Sequence, residues 1–177
     1  SVARQMAEGG EGIASLDDIM TIRPQSSFQV SVEEGALTTP ASRRREKKDQ
    51  RAALAAVLDG YPIERHEALA DRVRVVEVDV TGEQAPVSAR FHGTSMLSLV
   101  LNGDLHDEDE APLNRRIISI PVLAGNGHQE ETPRGKMPIG VIYRALRAIT
   151  LADPLEDPEL ANITVINHSI CDVISPY

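Results

Sequence analysis

The stretch Arg90-Phe91-His92-Gly93-Thr94-Ser95-Met96-Leu97-Ser98-Leu99 carries an imidazole and, three residues on, a hydroxyl, and each can belong to a hydrolase centre. Ser95 could act as a nucleophile if a base removed its proton. His92 could be that base, because an imidazole titrates close to neutral pH. A carboxylate able to orient such an imidazole lies upstream at Asp59, where the apolar run Ala52-Ala53-Leu54-Ala55-Ala56-Val57-Leu58 stops at Asp59-Gly60-Tyr61-Pro62. Peptide hydrolysis by a serine enzyme needs all three functions: a hydroxyl, an imidazole to activate it, and a carboxylate to fix the tautomer and stabilise the cation.

The remaining polar clusters point elsewhere. Asp104, Asp107 and Asp109 in Gly-Asp-Leu-His-Asp-Glu-Asp-Glu lack the Gly turn and terminal Glu of a dedicated calcium loop and read as a solvated acidic loop. His66, His106, His128 and His168 show no His-x-x-x-His or Cys partner spacing, so no metal or other cofactor is expected. Gly125-Asn126-Gly127 is not followed by the Lys-Ser/Thr of a phosphate loop, and a turn lining a groove is the better reading.

These groups must be positioned by regular elements. Residues 52–58 favour a helix by Ala and Leu content, yet their length and Gly/Pro stop also suit a strand buried on both faces. Arg72–Val80 (RVRVVEVDV) reads as a strand with one wetter face, Thr94–Leu101 as a helix stopped by Asn102-Gly103, and Ile117–Leu123 as a buried strand. Pro121 places that last strand at an edge or an ending. Pro138–Thr150 reads as an amphipathic helix with Ile139, Ile142, Leu146 and Ile149 on one face and Arg144 and Arg147 opposite, and Ile163–Ile166 as another buried strand. Strands alternating with helices predict an α/β fold, an open and mainly parallel sheet with helices on both faces. In such sheets functional groups gather at the carboxyl ends of the strands, where Asp59 lies and near which His92 opens a helix.

Residues 1–51 read as an arm or linker, with a Gly-rich start, some strand character in Ser27–Val32, and a basic run from Ser42 to Arg51. That run holds six of the 18 Lys and Arg residues, and is read as a solvated linker or helix start, with a processing site for a basic-specific protease as the competing reading. A net charge of -9 argues against a nucleic-acid partner, since affinity for nucleic acid comes largely from neutralising phosphates. With 41% hydrophobic residues and no Trp, the core must be built from Val, Ile, Leu and Ala. Cys171 is the single cysteine, so nothing requires an oxidising compartment. No apolar stretch approaches a membrane span and no secretory segment is visible, so the expectation is no membrane partner and a cytoplasmic protein by default, although the chain begins on Ser1.

From Ala52 to about residue 175 the chain resembles the subtilases, the subtilisin-like serine peptidases. AAVLDGYPIERHEAL (55–69) resembles their aspartate segment and FHGTSMLSLVLNG (91–103) their histidine segment. RRIISIPVLAGNG (115–127) is similar to the next strand and the loop beside the substrate groove, and GVIYRALRAI with NITVINHSI (140–149 and 162–170) to the helix and strand flanking the specificity pocket. The resemblance implies a subtilisin-like fold present as its front half, in residues 52–177, with residues 52–58 a strand. It implies a serine endopeptidase with Asp59 and His92 catalytic, and Gly125, Asn126, Gly127, Ser169, Ile170 and Cys171 lining a groove for a polypeptide substrate. The family's nucleophilic Ser comes last in chain order and its segment carries a Pro, so Ser95 reads as a small helix residue. The nucleophile then lies outside this chain, and the rest of the catalytic domain becomes a partner, on the same precursor or a second chain. Gly60 replaces the hydroxyl residue usual after the family's Asp, and Cys171 stands where a Gly is usual. The alternative is a non-catalytic, subtilase-like peptide-binding or regulatory module; an unrelated hydrolase using Ser95 with His92 is the third reading.

Overall fold

The computed structural model describes residues 29–31, 51–69, 71–103, 112–127 and 129–170. The Gly-rich start, the basic run up to Gln50, His106, Asp104, Asp107, Asp109, His128 and Cys171 lie outside them. The chain forms β1 (Gln29–Ser31), β2 (Ala55–Gly60), β3 (Val73–Val75), α1 (Phe91–Asn102), β4 (Ile117–Asn126), β5 (Gln129–Glu131), α2 (Pro138–Thr150), α3 (Pro158–Ala161) and β6 (Val165–His168). Between β3 and α1 lie 3₁₀ turns at Gly82–Gln84 and Val87–Ala89.

β2 shows why the Ala-rich run is not a helix: every residue from Ala56 to Gly60 is buried, and only a central strand covered on both faces buries so continuous a run. It pairs in parallel with β4 on one side and β6 on the other. β3 runs parallel along the start of the far edge of β4, and the β5 strand continues that edge in antiparallel fashion and carries β1. The result is a mostly parallel sheet with helices, an α/β fold. Alternate residues of β2 serve opposite faces, as the two-residue period of a strand requires. Ala56 and Leu58, with Ile118, Ile120 and Val122 of β4, pack on Val141, Ala145 and Ile149 of α2. Val57, with Ile117, packs on Leu97 and Leu101 of α1.

Four expectations need correction. Pro121 is neither at an edge nor at an ending; it is buried within β4, where the pairing slips so that Asp59 faces Pro121 but Gly60 faces Leu123. A bulge tolerates the residue that cannot donate to the ladder. The strand read over Arg72–Val80 shrinks to three residues, because Val76 makes one more bond to Ser119 and the chain then turns away, with Asp79 held by Lys136 and Arg144. The helix Pro138–Thr150 has the expected bounds but a different inner face: Val141, Ala145 and Ile149 are buried, whereas Ile139 and Leu146 are exposed. Finally, the buried strand expected at Ile163–Ile166 is β6, two residues further on, and it exposes Val165 and Ile166, since β2 is its single paired neighbour among the described residues. No helix of the described residues is long and apolar enough to cross a membrane.

Candidate active site

The bulge at Pro121 lies beside the carboxyl end of β2, where Asp59 is fully buried. Its Oδ1 accepts the amide of Gly60 at 2.7 Å and faces His92 Nδ1 at 2.6 Å. His92 is in the first turn of α1, which begins at Phe91, three residues before the expected Thr94. That turn reaches the end of β2 because residue 93 has no side chain: a Cβ there would lie 2.3 Å from the Gly60 carbonyl oxygen. Thr94 locks the approach. Its Oγ1 donates to the Arg90 carbonyl at 2.6 Å and accepts the Ile63 amide at 2.9 Å, tying the helix to the loop that leaves β2. His-Gly-Thr therefore combines a reactive group, a close contact and a fastening.

The helix start is braced from its other side. Arg90 donates to the carbonyls of Ala85 and Gly82 and stacks 4.5 Å from the centre of the Tyr61 ring. Burial, then the charges and bonds of Glu64 and Glu77, push the Tyr61 phenol up to about 12, so it stays protonated in the neutral range. At the far end of α1, Asn102 bonds buried Arg72 at 2.5 Å, and Gly103, with φ at 67°, ends the helix at the predicted Asn-Gly stop.

Ser95 is not aimed at the imidazole: its hydroxyl donates to the Phe91 carbonyl at 2.8 Å, one turn back along α1. His66 plays a local part, its Nδ1 accepting the Ala68 amide at 3.2 Å, and His168 lies exposed at the end of β6. Gly125 and Asn126 form the end of β4, paired with Glu130 and Gln129, and Gly127, with φ at 65°, begins the turn into β5. Gly125 is a close-packing glycine, because a Cβ would lie 2.5 Å from Pro86 Cδ and 2.8 Å from Ala89 Cβ. Ser169 and Ile170 follow β6; Ser169 bonds Asn167 and the Ile170 side chain is in the core cluster beneath α2.

One residue of the cluster goes unread in the sequence. Glu130, the middle residue of β5, is 2% exposed and brings Oε2 to 3.8 Å from His92 Nδ1. Gly60 makes room for it: a Cβ at residue 60 would lie 2.3 Å from Oε2. Where the subtilase resemblance expects a hydroxyl after the Asp, the space belongs to this carboxyl. Nothing in Gln129-Glu130-Glu131 by itself says which side chain turns inward.

Electrostatics follow from this burial. Burial pulls the His92 imidazole down, but its bond to Asp59, the Asp59 charge and the Glu130 charge outweigh it and hold His92 above its ordinary value. Burial, reinforced by Asp59, pushes Glu130 up to about 8, against His92 and the Gly93 amide. Asp59, His92 and Glu130 each offer a donor atom within 4.8 Å of the others. The 2.6 Å contact is nevertheless a hydrogen bond, since two ligands of a tetrahedral zinc, each about 2.0 Å from the ion, sit roughly 3.3 Å apart. The cluster is a hydrogen-bonded arrangement of charges suited to proton transfer. No protein-family model, curated protein or solved structure matches the chain.

Proposed function

We propose that this chain supplies the aspartate and histidine of a subtilase-type serine endopeptidase, with the nucleophilic Ser on polypeptide outside residues 1–177. The observation that carries the reading is the 2.6 Å bond from His92 Nδ1 to the buried Asp59 carboxylate. It commits Nδ1 and leaves Nε2 as the nitrogen for a hydroxyl, while the side chain keeps 18% exposure at the surface. In the reaction, His92 takes the proton of the attacking Ser through Nε2 and later returns it to the leaving amine, and Asp59 holds the tautomer and stabilises the imidazolium. The bond of the half-buried Ser95 hydroxyl to its own helix supports placing the nucleophile elsewhere.

The polypeptide substrate adds to the site as an extended strand through main-chain hydrogen bonds, with Ser169, Ile170 and Cys171 as one wall and Gly125, Asn126 and Gly127 as the other. The remainder of the catalytic domain covers the outer edge of β6, a placement supported by the exposure of Val165 and Ile166 on a strand whose single paired neighbour among the described residues is β2. The test is hydrolysis of a peptide by the complete protein. Asp59→Asn keeps an oxygen for the Gly60 amide but removes the charge and the tautomer control, and turnover falls on the order of 10⁴-fold. His92→Ala abolishes it. Unchanged hydrolysis in either variant refutes the assignment, and an intact protein that cleaves no peptide and binds one is the non-catalytic module.

A further inference from the structure

Glu130 is a buried carboxyl for which the Asp-His-Ser scheme has no task. Its backbone is held on both edges of β5, by Gly125 of β4 and Val30 of β1, so the side chain is fixed in direction by the sheet. It points into the site and rests against the bare Cα of Gly60. The Gly93 amide is the one donor that acts on its carboxyl among the described residues, and Asp59 Oδ2 beside it has no partner. A buried carboxylate with so few donors is costly, so the group must keep a proton or be balanced by a cation. Among the described residues the titratable groups that face it are Asp59 from β2 and His92 from α1; β1, β4 and the turn Val87–Ala89 contain no ionisable residue.

We propose that Glu130 is a positioning residue acting on the Asp59–His92 pair: seated in the space that Gly60 leaves open, its carboxyl faces Nδ1 behind Asp59 and adjusts the charge that the imidazole carries. The proposal rests on reading that pair as the base and its orienter. With its ionisation near pH 8, Glu130 is mostly protonated at neutral pH, and Asp59 is the single carboxylate against Nδ1. As the pH rises further, Glu130 gives its proton to solvent and a second carboxylate faces the ring at 3.8 Å. The added charge favours the imidazolium and withholds the neutral base. The site therefore contains two coupled titrations, and His92 reports both.

The test is ¹⁵N NMR of the His92 ring across pH in the wild-type protein, in Glu130→Gln and in Gly60→Ala. Gln has the shape of a protonated Glu and cannot ionise. The methyl of Gly60→Ala displaces the carboxyl while leaving its charge in the chain. The wild type is expected to titrate in two steps, the second near pH 8. Both variants are expected to show one step, the second step near pH 8 being lost with the carboxyl that produces it. Identical His92 titrations in all three proteins overturn the proposal. Covalent labelling by a serine-reactive phosphonate separates it from the reading it rests on. Two coupled steps without labelling leave Glu130 positioning a non-catalytic His92, and labelling without coupling leaves the triad and removes Glu130 from it.

Discussion

Gly93 sets its Cα so close to the Gly60 carbonyl that a methyl group at residue 93 would stand 2.3 Å from the oxygen and 2.6 Å from the carbon. Both neighbours are backbone, so neither can swing aside. Gly93→Ala is expected to lift the first turn of α1 off β2 and to cost about 1–3 kcal/mol, the usual range for overpacking. Chemical denaturation gives the stability, and the ¹⁵N shift of His92 shows whether the Asp59 bond survives. Wild-type stability with an unchanged His92 signal would mean that the contact does not set the helix position.

The buried charge of Glu130 makes stability fall as pH rises. Its ionisation is moved from 4.5 when free to about 8 in the folded protein, so between those values the native state holds a proton that the unfolded chain has released. The unfolded state binds fewer protons there, and the slope of stability with pH is negative. Melting temperature is expected to decline from about pH 4.5 to 8 and the decline to flatten in Glu130→Gln. Parallel curves for the two proteins would show that Glu130 has an ordinary ionisation in the fold.

The opposite sign applies at Asp157, on the face of the sheet away from the site. Arg74 grips its carboxylate through two bonds, at 2.7 and 2.5 Å, and Oδ1 also accepts the Leu160 amide to begin α3. The Arg74 bond leads in pulling Asp157 down to about 2 from 3.8. The stability it contributes is present above pH 3.8 and lost as pH falls through about 2. The pair is partly exposed, so Asp157→Ala is expected to cost only about 1 kcal/mol at neutral pH, chiefly as a lost helix cap. Acid titration of the melting temperature checks this: the gap between variant and wild type should shrink as pH falls from 3.8 through about 2, and a gap of unchanged size across that range would assign the loss to packing.

How much of this was legible in the sequence differs from element to element. The bounds of α2, the Asn-Gly stop of α1 and the strand at Ile117 follow from local pattern, because Pro at a helix start, Gly beyond its end and β-branched runs act over a few residues. The placement of Asp59 beside His92 follows from the subtilase resemblance of the two segments, not from local pattern. Long-range facts were not legible. Which face of α2 turns inward depends on how Ala56 and Leu58 of β2 meet it, and Val141 and Ala145 fit that surface while Ile139 does not. Glu130 is the clearest case. Its burial is decided by a hairpin that folds β5 back along β4 and by a glycine seventy positions earlier, and an acidic Gln-Glu-Glu run alone reads as surface.

Labelling the complete protein with a serine-reactive phosphonate and mapping the modified residue identifies the hydroxyl that His92 serves. Removal of a triad nucleophile leaves a loss on the order of a million-fold in turnover for a centre of this type, so the reactive Ser must be found for the site to be a peptidase. The expected target is a Ser outside residues 1–177. The labelling rate should rise with pH through a midpoint above the ordinary 6.5 of histidine, because the bond and charge of Asp59 hold the His92 proton more tightly, and it should vanish in His92→Ala. Modification of Ser95, or labelling that survives His92→Ala, would rule out His92 as the base for a Ser outside this chain.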